Sequence, residues 1–279
     1  MILKRKNSIT IFLPVSILAD VPSLVEKTFK IGQIARAASI YRVDGVVIYR
    51  ESSGSNREDA LLIRDILNYV ETPQYLRKKL FPLSESLRFA GMLPPLRTPH
   101  HPLESTKIDY REGFVLRSDD RGSLVDVGLR SPVTSIARLP LNRRVTMRLV
   151  DGLWVPSSKD DVPYYWGYSV SLEFKGLTKL LESSRFDSII ATSRIGTPLA
   201  EATEDLRESL ATGKNIALLF GSPAEGLHEI VKREGAEIED LADLVVNLAP
   251  DQGTATIRTE EAVMISLAVM ASLEATTHH

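Results

Sequence analysis

Three loops hold the residues best suited to ligand chemistry. They are residues 192–196 (Thr-Ser-Arg-Ile-Gly), 221–226 (Gly-Ser-Pro-Ala-Glu-Gly) and 247–258 (Asn-Leu-Ala-Pro-Asp-Gln-Gly-Thr-Ala-Thr-Ile-Arg). Each follows an apolar run and precedes a helical pattern. Glycine lets the backbone come close to a ligand, and the first N–H groups of a helix lack partners within it, so such loops suit a bound small molecule. Arg258, at a loop–helix junction beside a glycine-bearing segment, is a candidate for anion contact, with a surface salt bridge as its alternative. The carboxylates nearby read as structural. Ser222 to Glu225 spells a capping box with Pro223 at the first helical position, and Thr259 with Glu260 and Glu261 spells an N-cap followed by an acidic first turn.

The elements that must carry these loops alternate. Strand patterns at 188–193, 215–221 and 244–249 alternate with helix patterns at 198–211, 224–234 and 259–273. Earlier, strands at 9–18 and 45–49 flank a helix at 22–40, and Asn56 caps a further helix bearing Leu62, Ile63, Ile66, Leu67 and Val70. A short helix follows at 74–81, and a strand resumes at 165–174. This predicts an α/β fold with a parallel sheet covered on both faces, whose ligands bind beyond the carboxyl ends of the strands. From Leu93 the pattern changes. Pro94, Pro95, Pro99 and Pro102 mark a linker, and short strands at 113–117, 123–127, 133–139 and 143–150 predict an inserted all-β module resembling a small OB barrel. The expected division is 1–94 plus 164–279 for the α/β domain and 95–163 for the insertion.

Composition narrows the chemistry. With no cysteine there is no disulfide, thiolate nucleophile or Cys-based zinc site, and a cytoplasmic setting is consistent. No P-loop, G-x-G-x-x-G or G-x-S-x-G pattern occurs in the required context. The apolar stretch 262–273 is too short to span a bilayer, and the run 9–18, broken by Pro14, reads as a strand rather than a leader. Adjacent His100 and His101 point apart in extended chain, so no metal pair is expected, and His278 and His279 are set aside as resembling a tag remnant. Residues 1–179 carry 27 Lys+Arg against 19 Asp+Glu, whereas residues 180–279 carry 7 against 17. A basic portion beside an acidic one suggests contact with a polyanion.

The 247–262 segment and the two loops before it resemble the SPOUT class of knotted RNA methyltransferases. The likeness extends to an archaeal–eukaryotic subfamily with an OB-like insertion through residues 32–37 (Gly-Gln-Ile-Ala-Arg-Ala), 73–82 (Pro-Gln-Tyr-Leu-Arg-Lys-Lys-Leu-Phe-Pro), 89–101 (Phe-Ala-Gly-Met-Leu-Pro-Pro-Leu-Arg-Thr-Pro-His-His) and 110–113 (Tyr-Arg-Glu-Gly). The resemblance implies a trefoil knot within about 188–275, S-adenosylmethionine in the three loops, and a homodimer with its active site at the subunit interface. It also implies methylation of ribosomal RNA, most sharply at uridine N3. By position, the cofactor would meet Thr192, Ser193 and Gly196; Gly221, Ser222, Gly226 and Leu227; and Leu248, Pro250, Gln252, Gly253, Thr256 and Ile257. Arg194 stands where some relatives are acidic, which puts a catalytic carboxylate there in doubt.

Uridine N3 must lose a proton, so Arg258 is a candidate to stabilise the developing anion or clamp a phosphate, and Gln252 and Asn247 are candidates to read the base edge. The lack of cysteine excludes carbon-5 methylation through a Cys–base adduct. Arg77, Lys78, Lys79, Arg138, Arg143, Arg144 and Arg148 are the expected RNA contacts. Two other readings compete: an RNA-binding ribosome-assembly factor without turnover, and a ribose 2′-O-methyltransferase.

Overall fold

The computed structural model describes residues 2–51 and 56–276; the His278–His279 pair lies outside them. Its first half contains β1 (Ser8–Pro14), α1 (Leu24–Ile40), β2 (Gly45–Tyr49), α2 (Arg57–Glu71) and α3 (Gln74–Leu80). Five strands follow: β3 (Tyr110–Asp119), β4 (Gly122–Asp126), β5 (Val133–Ser135), β6 (Arg144–Val150) and β7 (Leu153–Ser157). The chain continues through β8 (Ser169–Glu173), α4 (Leu177–Ser183), β9 (Ser188–Pro198), α5 (Leu199–Thr212) and β10 (Asn215–Leu219). It ends with α6 (Leu227–Arg233), α7 (Ile238–Leu241), β11 (Leu244–Asn247) and α8 (Thr259–Thr276).

A six-stranded sheet runs in the order β11-β9-β10-β1-β2-β8, with every neighbouring pair parallel. Successive strand residues face opposite sides, and the core divides accordingly. Ile9, Ile11 and Leu13 join Val46, Ile48, Ile216 and Leu218 under α1, α2, α5 and α8, whereas Phe12, Tyr49, Ala217 and Leu219 pack under α4, α6 and α7. Burial on both faces explains why these strands are apolar without alternation. Strand one is shorter than the 9–18 pattern suggests: after Pro14 the chain tightens into a 3-10 turn over Val15–Leu18. The Ser23 side chain accepts from the Glu26 N–H and Glu26 returns to the Ser23 N–H, which fixes the start of α1.

The five-stranded sheet is antiparallel, in the order β5-β4-β3-β6-β7, and its edge strands β5 and β7 approach one another. Val115, Val125, Val127 and Met147 form its core. It is anchored at the amino ends of the large sheet's strands. There Arg144 donates to Glu71 at the end of α2, the Tyr165 hydroxyl donates to the Val43 carbonyl just before β2, and the Lys4 N–H donates to the Pro163 carbonyl. The histidines correct the expectation of divergence: their rings meet edge to face at 4.2 Å, and both Nε2 atoms lie on the Glu71 carbonyl, at 2.9 and 2.6 Å. A tight turn makes this possible, closed by the His101 N–H to the Thr98 carbonyl.

Candidate active site

The carboxyl ends of β9, β10 and β11 open into a cleft of about 440 Å3. Thr192, Ser193, Gly221, Ser222, Gly226, Leu227, Leu248, Gln252, Thr256 and Ile257 line it, as does Asn247. Its size falls within the range of small-molecule sites, and its lining mixes apolar walls with a few polar groups.

Side-chain ties hold the three loops in place. The Thr192 hydroxyl donates to the Leu219 carbonyl at 2.8 Å, and the Thr259 hydroxyl donates to the Gly221 carbonyl at 3.2 Å. The Asn247 amide donates to the Arg194 carbonyl at 2.9 Å while its oxygen accepts from the Ala249 N–H, so this side chain joins loop to loop. Arg194 in turn donates to the Ala255 carbonyl at 3.1 Å, and the Gln252 amide to the Thr254 carbonyl at 2.8 Å.

Four expected residues lie outside the cleft lining. Pro250 and Gly253 sit on the outer part of the 247–258 loop. Gly196 belongs to an extension of β9 that crosses β11, where an added Cβ would lie 2.7 Å from the Val245 carbonyl; its smallness serves strand packing. Arg258 is exposed, and its N–H donates to the Glu261 carboxylate at 2.9 Å, so Arg258 takes the capping position expected of Thr259. The Ser222 capping box is also revised. Ser222 Oγ accepts from the Glu225 N–H and the Ser222 N–H donates to the Glu225 carbonyl, which closes a turn before the helix begins after Gly226. The Glu225 carboxylate pairs with Arg233 instead of capping.

The sequence reading passed over His228, in the first turn of α6, because a lone histidine carries no motif. In the structure it lines the cleft between two partners. Its Nδ1 lies 3.4 Å from Ser193 Oγ, and its Nε2 lies 3.0 Å from Glu239 Oε1. The Ile195 N–H donates to Ser193 Oγ at 3.3 Å. With Nε2–H given to the carboxylate, the Nδ1 lone pair is presented on the Ser193 side, the arrangement of an oriented general base.

The expected RNA contacts are revised at two positions. Arg144 is committed to Glu71 and Glu112, at 2.6 and 2.5 Å, and these carboxylates outweigh burial to hold its guanidinium charged; Arg144 in turn keeps Glu71 well below the usual carboxylate range despite its burial. Arg77 turns inward, donating to the Thr72 and Val70 carbonyls with its guanidinium 4.7 Å over the Tyr69 ring. Lys79 pairs with Asp126, while Lys78, Arg138, Arg143 and Arg148 are exposed. Among the described residues, no group of three or more histidines and carboxylates could hold a metal, and no helix is long and apolar enough to cross a membrane.

A profile of the family described as "Putative RNA methyltransferase" matches residues 8–270. The chain is 35% identical to a human protein named 28S rRNA (uridine-N(3))-methyltransferase, covering 95% of this chain and 78% of that protein. The mouse protein of the same name is 34% identical, with 95% and 76% covered. An uncharacterized protein of Halobacterium salinarum is 32% identical, with 92% and 96% covered.

Proposed function

The chain belongs to this family of RNA methyltransferases, and from that premise we propose that it methylates N3 of a uridine in ribosomal RNA, using S-adenosylmethionine held in the cleft of β9, β10 and β11. The single observation that carries the site assignment is the convergence of the three glycine-bearing loops on one cleft. The fit is chemical as well as spatial. Leu227, Leu248 and Ile257 offer apolar flanks for an adenine ring, and Thr192, Ser222, Gln252 and Thr256 offer polar groups for its ribose and amino-acid ends. Bound there, the cofactor supplies an activated methyl group on a cationic sulfur.

The protein's part is orientation and proton removal. His228 Nδ1 takes the N3 proton, directly or through the Ser193 hydroxyl, and Glu239, bonded to Nε2, holds the ring in place. Gln252 and Asn247 are assigned to the base edge as secondary contacts, and Arg258, outside the lining, to an RNA phosphate.

The finer architecture belongs to the same proposal. Two crossings support a SPOUT-type knot. The far half of β9 pairs with β11 at Thr197 and Pro198, while Thr259, after the 247–258 loop, returns to Gly221 at the end of β10. An OB-like insertion is supported by the strand order, which in the module's own count is 3-2-1-4-5 with its edges brought together. A homodimer across the cleft is supported by the partly buried apolar side chains Met264, Ile265 and Val269 on α8 and by exposed Ile195, which lines the cleft.

Incubation of the purified protein with ribosomal RNA and S-adenosylmethionine, followed by digestion and nucleoside mass spectrometry, tests the assignment. The expected product is 3-methyluridine. A 2′-O-methylated nucleoside, or no methyl transfer alongside intact RNA binding, overturns it.

A further inference from the structure

A second cavity, of about 470 Å3, lies where β1, β2 and β8 end. Val15 and Leu172 form its apolar base, Arg50 leaves β2 beside it, and Arg57 rises from the first turn of α2. Phe174, just past the edge strand β8, is 53% exposed and lies under the Arg57 guanidinium, 6.0 Å from ring centroid to Cζ. An exposed aromatic ring beside two arginines is the combination that binds single-stranded nucleic acid, with a base stacked on the ring and phosphate on the cations.

Its position gives this cavity a purpose. The five-stranded sheet is fastened at the amino ends of the large sheet, where Arg144 meets Glu71. The helix α2 runs from that edge to the opposite one, about 21 Å away at 1.5 Å per residue. Within one chain, therefore, the insertion is anchored at the edge opposite the cofactor cleft, whereas Arg50, Arg57 and Phe174 share the cleft's edge. The strand order β10-β1-β2-β8 sets the two cavities about 10–15 Å apart at the spacing of neighbouring strands. Between them Ser16 donates its N–H and hydroxyl to Glu51, a buried side chain at the β2 exit near Glu225 of the first cleft. That contact makes a wall over which a strand would pass.

We propose that this second cavity holds a nucleotide flanking the target uridine, its base stacked on Phe174 and its phosphates on Arg50 and Arg57, so that single-stranded RNA runs along the carboxyl edge of the sheet. The inference rests on the chain's action on RNA, and its test separates the two readings. Anisotropy of a fluorescent oligouridine reports binding; calorimetry with S-adenosylmethionine and the melting temperature report the first cleft and the fold. Phe174→Ala weakens oligouridine about tenfold, and Phe174→Trp retains affinity. The pair Arg50→Glu and Arg57→Glu weakens binding and lowers the slope of log affinity against log salt by about two. All variants keep the parent melting temperature and cofactor affinity. Unchanged oligouridine affinity in Phe174→Ala, or loss only in the arginine variants, overturns the stacking site. Absence of methyl transfer by the parent protein instead overturns the function on which it rests.

Discussion

Arg144 of the five-stranded sheet donates Nη1 to Glu71 Oε2 at 2.6 Å, across 73 residues of sequence, and thereby fastens the insertion to the amino edge of the large sheet. The pair belongs to a wider network. Glu112 accepts from Arg144 Nε, from the Thr146 hydroxyl at 2.8 Å and from the Trp166 indole, and His100 Nε2 lies 3.2 Å from Glu71. Both carboxylates are almost fully buried, so the one guanidinium offsets part of a charge that water does not reach, and Thr146, Trp166 and His100 serve the remaining oxygens.

Arg144→Met is expected to destabilise the protein by about 3–5 kcal/mol, because it strands two carboxylates inside the protein. The sign with pH follows from Glu71. Its folded value lies below its unfolded one, so its contribution is present above the unfolded value and disappears as pH falls through the folded value. Urea unfolding at neutral pH and at pH 4 should therefore show a smaller difference between parent and Arg144→Met under acid.

His101 gives a separate pH dependence. Burial and the adjoining His100 push its imidazole from the ordinary 6.5 down to about 3, so it stays neutral in the folded protein while the unfolded chain binds a proton. Above about pH 6.5 both states are neutral and the group is silent. Between 6.5 and 3 stability should fall by about 1.4 kcal/mol per pH unit on account of this one site. His101→Gln, which keeps a donor for the Glu71 carbonyl, should flatten that slope in denaturant titrations; an unaltered slope would assign it elsewhere.

Thr259 ties the final helix to the end of β10 through the Gly221 carbonyl, and Gly221 lines the cleft. Thr259→Val preserves shape and removes the donor. The expected cost to global stability is about 0.5–1.5 kcal/mol. A loss of cofactor affinity should accompany it if the loop this bond positions holds the cofactor as proposed; calorimetry with S-adenosylmethionine checks this. Affinity equal to the parent's would reduce Thr259 to a structural residue.

The parts of this architecture legible in sequence are those set by local pattern. Continuous apolar runs marked β1, β2, β10 and β11, and Asn56 announced α2, whose Glu58 N–H it accepts. Short elements escaped. The two-turn helix α4, the four-residue α7 and strand β7 went unmarked, and β9 reaches Pro198 because β11 pairs with its far half, a partner no local rule supplies. The same limit governs the site. Three loops could be picked out by glycine and position, yet Arg144 read as a surface cation because its partners lie 32 and 73 residues away. His228 read as nothing because Ser193 and Glu239 reach it only through the fold.

His228 and Arg258 should separate kinetically, and that contrast tests the proposed division between chemistry and binding. His228 faces the cleft with Ser193 on one nitrogen and Glu239 on the other, whereas Arg258 lies outside the lining and is exposed. If His228 takes the N3 proton, His228→Ala lowers kcat by about 10²–10⁴ while cofactor affinity and KM for RNA stay near the parent values. Glu239→Gln keeps a hydrogen-bonding partner for Nε2 but can turn its amide N–H to the ring and loosen its orientation, so its kcat should fall between those of the parent and His228→Ala. Arg258→Ala, if it removes only a phosphate contact, raises KM and leaves kcat unchanged, as expected for binding energy shared by the ground and transition states. Steady-state kinetics with a saturating methyl donor decides between them. A kcat loss in Arg258→Ala matching that of His228→Ala would place the arginine at the developing uracil anion, and full activity of His228→Ala would remove the histidine from proton transfer.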